Sequence, residues 1–450
     1  MIKSVNPYTQ KEVYAVEEFS SDQIEQAINT ADKTFRSWRK LSYKKRSKLM
    51  LAVGKELRHN SQEYAEAITI EMGKPITLSL QEVEKCAWLC DYYAENAENH
   101  LADRVVITEG SESYVTNEPL GVILAVMPWN FPLWQVFRFA VPVLMAGNVG
   151  LLKHAGNVMK CAENIEKIFL RAGFPKGCFT NLPIRSSEVE RIIRNEKVKA
   201  VALTGSNAAG SSVASIAGSE IKKTVLELGG SNALIVLDDA NIDESVATCV
   251  QSRFQNTGQS CIAGKRLLLH KVIANEFIEK FLAAVNILKS GDPMDKDTYI
   301  GTMAKTEFAQ ELEELLRDSV SKGAKILLGG RRKDAYFEPT VLGNITADMP
   351  VFSEETFGPL IGITIFETDE EAVELANNSV FGLGASIFTD DFERAKRLIP
   401  KLEQGSVFVN EKVTSDPRLP FGGVKSSGYG RELSLEGIQE FVNKKAVYFK

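Results

Sequence analysis

Cysteine is scarce in this sequence, and long apolar runs are missing. Six cysteines are spread over 450 residues, too few for a disulfide-stapled secreted fold, so a reducing cytoplasm is the default compartment. The most apolar stretch, 120–126, is far shorter than the roughly 20 residues that a membrane-spanning helix requires. The first residues lack the charged and then apolar plan of a signal peptide. We therefore expect a cytoplasmic protein with no membrane partner.

Basic residues are in the minority, and clustered metal ligands are missing as well. The chain has 53 Lys and Arg against 59 Asp and Glu, a net charge of −6, which argues against a broad nucleic-acid surface but leaves room for a local phosphate pocket. Cys86 and Cys90 are four residues apart on a helical pattern, with no His or third Cys nearby. We expect both to face the core, and we expect no bound metal.

The hydrophobic pattern predicts an α/β fold in two or three domains. Short apolar runs predict strands at 122–127, 149–153, 199–203 and 233–237, with helices at 159–172 and 208–217. A second block predicts strands at 265–270, 325–328, 361–366 and 386–388, with helices at 275–290 and 370–377. Such alternation is typical of parallel sheets covered on both faces, here joined near 227–230 with a cleft between them. The N-terminal quarter is predicted to be helical, with a capping box at 20–23.

Two residues in this pattern could carry covalent and acid–base chemistry. Cys261 follows the polar, glycine-containing loop 256–260, which would expose and orient a thiolate nucleophile. The alternative is a buried, inert cysteine. Glu227 ends a strand-like run just before Gly229 and Gly230, where burial would raise its pKa and make it a usable base near neutral pH. The alternative is a helix-capping or salt-bridged glutamate.

Three loops offer binding groups. Asn130 lies between two prolines directly after a strand and has two N–H donors for an oxyanion, unless it is only a structural turn residue. Segment 203–210 follows a strand and opens a helix, so its small residues would let a diphosphate approach the helix N-terminus, although many ordinary turns look similar. Glu355 and Phe357 point the same way in extended chain and would suit a ribose and a flat ring, unless they form a surface turn.

In this order, the motifs resemble those of the aldehyde dehydrogenase superfamily. The resemblance rests on Asn130, Lys153, 205–210, Glu227, Cys261 and 355–359, and it runs from Asn6-Pro7 through 71–75 to 420–428. Within the superfamily, the segment 152–155 and the short N-terminus look like those of bacterial succinate-semialdehyde dehydrogenases.

The resemblance implies a three-part architecture. It implies a Rossmann-type cofactor domain at 1–103 and 123–228, an α/β catalytic domain at 229–438, and a small β oligomerisation arm at 104–122 and 439–450. Because an arm of this kind adds strands to a partner's sheet and covers exposed edges, we expect a homo-oligomer, either a dimer or a tetramer.

The resemblance also implies a mechanism. The Cys261 thiolate would attack the aldehyde carbonyl, and the Asn130 side chain with the Cys261 backbone N–H would hold the resulting oxyanion. Hydride transfer to a nicotinamide would leave a thioester, which water activated by Glu227 would hydrolyse. No second cysteine lies within two residues of Cys261, so the regulatory disulfide of some relatives is not available to this chain.

The cofactor implied is NADP or NAD. The expected cofactor-binding residues are Pro128, Trp129, Lys153, Gly156, Gly205, Ser206, Gly210, Leu228, Gly229, Glu355 and Phe357. In many NAD-preferring relatives a glutamate three residues after the lysine grips the ribose 2′-hydroxyl, and this chain has Gly156 there. No carboxylate would then repel a 2′-phosphate and Lys153 would attract one, so we expect NADP to be accepted, and a preference for NADP over NAD is left open. The alternative is that Gly156 is merely permissive.

The substrate implied is succinate semialdehyde, which would be oxidised to succinate. By resemblance, Arg138 faces the distal carboxylate, Ser415 assists and Trp134 walls the tunnel. The alternatives are an Arg138 held in a helix-surface ion pair and a broad-specificity enzyme for aliphatic or aromatic aldehydes. A cysteine acyl-transferase or esterase is disfavoured because it would need no dinucleotide site. A CoA-acylating enzyme is disfavoured because such enzymes usually lack a general base at the position of Glu227. A non-catalytic structural protein is disfavoured because it would be expected to lose Cys261, Glu227 or Asn130.

Overall fold

A computed structural model describes all 450 residues, in 22 strands and 15 α-helices. The strands β1 to β22 are Ile2–Val5, Glu12–Val16, Arg104–Val105, Glu112–Pro119, Val122–Met127, Val149–His154, Phe179–Asn181, Val198–Thr204, Lys223–Glu227, Asn232–Val236, Gly264–His270, Lys325–Leu328, Arg332–Lys333, Tyr336–Phe337, Thr340–Gly343, Leu360–Phe366, Phe381–Gly382, Ala385–Phe388, Val407–Val409, Val424–Lys425, Gly428–Tyr429 and Val442–Phe449. The helices α1 to α15 are Ser21–Trp38, Tyr43–His59, Ser61–Met72, Ile76–His100, Trp134–Met145, Met159–Arg171, Val189–Arg194, Asn207–Ser219, Ile242–Phe254, Ala274–Asn286, Thr306–Ser321, Pro350–Ser353, Asp369–Asn377, Phe392–Leu398 and Ser434–Ile438.

A six-stranded sheet forms the first half of the molecule, in the order β21-β9-β8-β5-β6-β7. Its strands are parallel except for β21, which is antiparallel to β9. The predicted strands at 122–127, 149–153 and 199–203 are confirmed as β5, β6 and β8. They are continuous apolar runs because helices cover both faces of a parallel sheet. The carboxyl ends of these strands carry the loops that hold the candidate site residues.

A seven-stranded sheet forms the second half, in the order β12-β15-β16-β11-β10-β18-β19. All of its pairs are parallel except β12 with β15. Alternate residues of β10 belong to two different apolar cores: Ala233 and Ile235 pack on one face, and Leu234 and Val236 on the other. The second predicted α/β block is therefore confirmed, as is the α/β fold class.

The first residues depart from the predicted helical quarter. β1 and β2 form an antiparallel hairpin before the four helices α1 to α4 begin. The Asn6 side chain accepts hydrogen bonds from the backbone N–H groups of Tyr8 and Thr9, which closes the turn. Half-exposed strands this short give little periodicity. The predicted capping box between Ser20 and Gln23 is present and starts α1.

A small three-stranded sheet, β22-β4-β3, joins residues near 104–119 to the C-terminal strand. Most residues of β22 are exposed, and its outer edge is paired with no strand. The strand β21, inside the range expected for the catalytic domain, instead pairs with β9 of the first sheet. No helix combines the length and apolar character needed to span a membrane.

Candidate active site

Cys261 follows a strained loop between α9 and β11. Asn256 and Thr257 have positive φ angles of 56° and 54°, which is unusual for residues other than glycine. The amide Nδ2 of Asn256 donates to the Asn130 carbonyl oxygen at 3.0 Å, and the buried Arg253 guanidinium donates to the carbonyl oxygens of Gly258 and Gly358 at 2.5 and 2.6 Å. These bonds fix the cysteine loop against its neighbours, a strained arrangement typical of functional sites.

Two cavities meet at Cys261, which lines both of them. The larger, of about 670 Å³, is also lined by the predicted residues Pro128, Trp129, Asn130, Gly205, Ser206, Leu228, Gly229, Glu355 and Phe357. The smaller, of about 260 Å³, is lined by the predicted substrate residues Trp134, Arg138 and Ser415. The fold therefore brings most of the sequence-predicted residues together around one cysteine.

Three predicted cofactor residues lie outside these cavities. Gly210 packs against Leu228, where a Cβ would lie 2.6 Å from a Leu228 methyl, so it allows a close helix approach and does not line the site. Lys153, at the end of β6, is half-buried, and burial lowers its pKa. Gly156 lines a separate cavity of about 380 Å³ together with Lys3 and Lys305.

Two N–H donors are free beside the cysteine. Asn130 Nδ2 donates to the Gln259 carbonyl oxygen at 3.1 Å, which leaves its second N–H unused. The Cys261 backbone N–H makes no hydrogen bond within the protein. Both residues line the larger cavity, as an oxyanion site requires.

The surroundings of Cys261 favour its thiol over its thiolate form. Burial raises its pKa to about 11, while the positive charges of Arg138 and Lys265 lower it and Glu355 and Glu227 raise it. Because the thiolate is the reactive form, a proton must leave the sulfur before or during attack.

Glu227 is buried at the end of β9, and neither carboxylate oxygen has a hydrogen-bond partner. Its pKa lies well above the usual range, mainly because of burial and then because of the charge of Glu432. A Cβ on Gly422 would lie 2.8 Å from Glu227 Oε1, so a glycine is needed there. Glu227 itself lines neither cavity. Its surroundings favour a neutral carboxyl group, which is a stronger base once it ionises.

Arg138 on α5 forms a buried ion pair with Glu432. Its guanidinium also lies 4.4 Å from the centroid of the Phe421 ring. The alternative predicted an ion pair on the helix surface. An ion pair is present, but its location is not the surface, because both side chains are almost fully buried. The Nη2 atom of Arg138 still has no hydrogen-bond partner. Arg138 therefore reaches the smaller cavity with part of its charge already neutralised.

Lys265, which no motif indicated, links Glu355 to the cysteine. Its buried Nζ pairs with Glu355 Oε1 at 3.0 Å and donates to the Cys261 carbonyl oxygen at 2.7 Å. Glu355 Oε1 also accepts the Gly230 N–H at 3.0 Å. The only sequence signal was a lysine near the start of a strand whose centre, 267–269, is apolar.

Phe308, which the sequence did not indicate, joins the predicted residues Trp129 and Phe357 in an aromatic wall of the larger cavity. Phe308 of α11 stacks on Trp129 with ring centroids 5.0 Å apart. Phe357 meets Trp129 edge-on at 5.7 Å. All three rings line the cavity and suit a flat ligand.

The motif at 71–75 helps to hold the Asn130 loop and the start of α5 in place. The buried pair Lys74–Glu82 lies under the Asn130 loop, with Lys74 Nζ 3.8 Å from the Phe131 ring centroid. Glu82 Oε1 accepts the backbone N–H groups of Leu133 and Trp134, both at 2.9 Å. A carboxylate there caps the N-terminus of α5 and fixes the direction of the helix that carries Arg138.

Comparison with known proteins agrees with this geometry. The sequence profile of the aldehyde dehydrogenase family matches residues 1–447. The chain belongs to the aldehyde dehydrogenase family. A dehydrogenase of this family oxidises an aldehyde to the acid with NAD(P), so the predicted enzyme class and the family's Rossmann-type architecture are confirmed.

The individual relatives are similar over nearly their whole lengths. A probable NADP-dependent succinate-semialdehyde dehydrogenase of Synechocystis sp. is 45% identical, with 99% of each chain covered. A succinate semialdehyde dehydrogenase of Escherichia coli named for NAD(P) is also 45% identical, over 99% of this aldehyde dehydrogenase and 97% of that protein. The solved structure of succinic semialdehyde dehydrogenase from Streptococcus pyogenes with NADP has a TM-score of 0.98 and 36% identity, with 100% of each chain covered.

Proposed function

We propose that this aldehyde dehydrogenase oxidises succinate semialdehyde to succinate with NADP or NAD. The observation that carries the proposal is that Cys261 lies between a large aromatic-walled cavity and a small one lined by cationic side chains. The small cavity suits a short aldehyde with a negative charge at its far end. Relatives at 45% identity bear the same activity in their names.

The cysteine starts the reaction. Its thiolate attacks the aldehyde carbon, and the carbonyl oxygen becomes an oxyanion. The free N–H groups of Asn130 and Cys261 would then donate to this oxygen, and one such donor typically contributes about 3 kcal/mol to transition-state stabilisation. The tetrahedral carbon can release hydride, which the planar aldehyde does not readily do.

The dinucleotide fits the larger cavity. Gly205 and Ser206 lie at the N-terminus of the 13-residue helix α8, a favourable place for a diphosphate. Trp129 and Phe357 would flank a flat ring, and Glu355 would bind a ribose. The bound cofactor supplies the hydride acceptor for the step after cysteine attack.

Glu227 is the proposed base for hydrolysis of the thioester. A carboxyl group with a raised pKa takes a proton from water more readily than an ordinary glutamate. Water would then add to the thioester carbon, and the acid would leave Cys261.

The choice between NADP and NAD is proposed to depend on Lys153 and Gly156. The Lys153 side chain makes no hydrogen bond or ion pair in the protein, which leaves its ammonium free for a phosphate. No carboxylate extends from Gly156 to repel it. We therefore propose that NADP is accepted and that it is preferred over NAD.

The assembly and the compartment are also proposals. The open edge of β22 in the small sheet supports a homo-oligomer in which a partner covers that edge. A reducing cytoplasm suits a chain whose six cysteines are all free.

The test is to follow reduced nicotinamide formation from succinate semialdehyde, with NAD and NADP in parallel and Cys261→Ala as control. Turnover by the wild type and none by the variant supports the proposal. Turnover only with simple aliphatic or aromatic aldehydes would keep the family and remove the proposed substrate.

A further inference from the structure

The smaller cavity contains a lysine that the proposed mechanism has not used. Lys85 on α4 lines this cavity together with Arg138, Ser415 and Cys261. Its Nζ donates to Ser415 Oγ at 3.0 Å and lies 4.3 Å from the centroid of the Trp134 ring. Asp416 and Glu82 raise the pKa of Lys85 only through longer-range electrostatic interactions, because no carboxylate lies within ion-pair distance of its Nζ.

The other cations of the same cavity all have carboxylate partners. Lys74 pairs with Glu82, and Arg138 pairs with Glu432. Lys412 lies 3.6 Å from a Glu411 oxygen and donates to Gln251 at 3.0 Å. Lys85 is thus the cation whose charge is not offset by a contacting carboxylate, and the face of the Trp134 ring compensates only part of that cost.

The hydrogen bonds of Ser415 leave it with one free donor beside Lys85. A hydroxyl has two acceptor sites and one donor. Ser415 Oγ accepts from Lys85 Nζ and from Trp134 Nε1, both at 3.0 Å. Its O–H is therefore left to donate, and no acceptor in the protein receives it. A cation with no contacting carboxylate and a hydroxyl donor with no acceptor, side by side, form a site for an anion.

The helix α4 holds this site in register with the catalytic loop. Glu82 and Lys85 are three residues apart and share one helix face. Glu82 caps α5, which carries Trp134 and Arg138, and Lys85 contacts Trp134 one turn further along. The position of Lys85 relative to α5 is therefore fixed by buried contacts.

We propose that Lys85, together with the Ser415 hydroxyl, binds the terminal carboxylate of the aldehyde substrate and sets the preference for an anionic substrate. The proposal rests on the proposed function, in which the substrate carries such a carboxylate. Arg138, which lines the same cavity and shares its charge with Glu432, then contributes less of the attraction.

The experiment compares succinate semialdehyde with butanal, which has the same number of carbons and a methyl group in place of the carboxylate. Steady-state constants are measured for the wild type, Lys85→Met and Lys412→Met. Methionine keeps the length and apolar stem of lysine without its charge. Lys412→Met is the matched variant, because it removes a cation of the same cavity that already has a carboxylate neighbour.

We expect Lys85→Met to raise KM for succinate semialdehyde by roughly ten- to a hundredfold, the usual effect of losing a charge-assisted hydrogen bond. The constants for butanal should change less than about threefold, and Lys412→Met should change either substrate by a similarly small factor. Competitive inhibition by succinate, which has the terminal carboxylate but cannot be oxidised, gives a second measurement, and its inhibition constant should rise with KM.

The outcomes separate this proposal from the proposed function. A wild type that shows no preference for succinate semialdehyde over butanal would remove the proposed substrate, whatever Lys85 does. A wild-type preference that persists in Lys85→Met would overturn the role proposed for Lys85 and would leave the proposed substrate in place. Equal losses on both substrates in Lys85→Met would also overturn it, because they would indicate a structural role. An equal loss in Lys412→Met would overturn it too, because it would indicate that the total positive charge of the cavity, and not Lys85, sets the preference.

Discussion

The two cavities that share Cys261 differ sharply in charge. The larger is lined by five carboxylates, Glu311, Glu314, Asp318, Glu354 and Glu355, and by no lysine or arginine. The smaller is lined by three lysines and one arginine with a single carboxylate, Glu82. A dinucleotide in the larger cavity would have to be held by a helix N-terminus, backbone groups and aromatic rings, whereas side-chain charge would hold a small anion in the other cavity. The proposed nucleophile would thus serve two ligands, one bound mainly by backbone groups and rings and the other by charged side chains.

The largest expected effect distinguishes Arg138 from Lys85, because Arg138 has a buried carboxylate partner and Lys85 has none. Arg138→Met should lower the free energy of unfolding by about 3–5 kcal/mol, because it leaves Glu432 buried without a partner. Denaturant unfolding monitored by fluorescence measures this. The double variant Arg138→Met/Glu432→Gln should recover part of the loss, and Lys85→Met should change stability little. An unchanged stability in Arg138→Met would mean that the ion pair contributes nothing to the fold.

The next effect tests the side of Cys261 that faces the larger cavity. Asn130→Ala should lower kcat by roughly 10²- to 10³-fold, because one oxyanion donor is lost. Asn130→Asp keeps the size but not the N–H donors, so it should be no better. Steady-state kinetics with a saturating cofactor measure both. A loss of less than about tenfold in Asn130→Ala would contradict a role for this donor.

A smaller effect concerns the cofactor. Gly156→Glu should lower kcat/KM for NADP relative to NAD by about tenfold or more, because a carboxylate would repel the 2′-phosphate and pair with Lys153. A Cβ at Gly156 would lie 3.3 Å from Ile2 Cγ2, so a small shift of that side chain accommodates it. Gly156→Gln has nearly the same size without the charge. If both variants change the ratio equally, size and not charge explains it.

The smallest effect is a pH dependence of substrate preference. Burial, with the nearby charge of Arg138, lowers the pKa of Lys85 to about 8, while Cys86, Asp416 and Glu82 oppose that shift. Lys85 is charged at pH 7 and loses its proton as the pH rises through 8. The ratio of kcat/KM for succinate semialdehyde to that for butanal should therefore fall severalfold between about pH 7 and pH 9.

Taking the ratio cancels the ionisations of Cys261 and Glu227, which act on both substrates. Lys85→Met provides the control, since its ratio should be flat over the same range. A wild-type ratio that stays constant would contradict the assignment of the charge to Lys85.

Site residues that belong to local sequence motifs could be predicted from the sequence. Residues whose role depends on partners far away in the chain could not. Cys261, Asn130 and Glu227 follow strands or motif loops, so their neighbourhood follows from parallel-sheet topology. Lys85 and Glu432 lie on helical or irregular segments with no local signal. Their importance comes from which charges are paired across the chain, and a single sequence does not reveal that pairing. The N-terminal hairpin was missed because its strands are too short to show a period.

The edge strand β21 has a consequence for biosynthesis. Gly428 pairs with Glu227, so the buried carboxyl group is enclosed by a segment made near the end of translation. Until that segment leaves the ribosome, Glu227 would lie at an open sheet edge, where water would keep the pKa of its carboxyl group near the ordinary value. A nascent chain could complete most of its first sheet early, yet it would enclose Glu227, the proposed hydrolytic base, only when synthesis is almost finished. Unfinished chains would then hold Cys261 while the carboxyl group of Glu227 still lacks its buried environment.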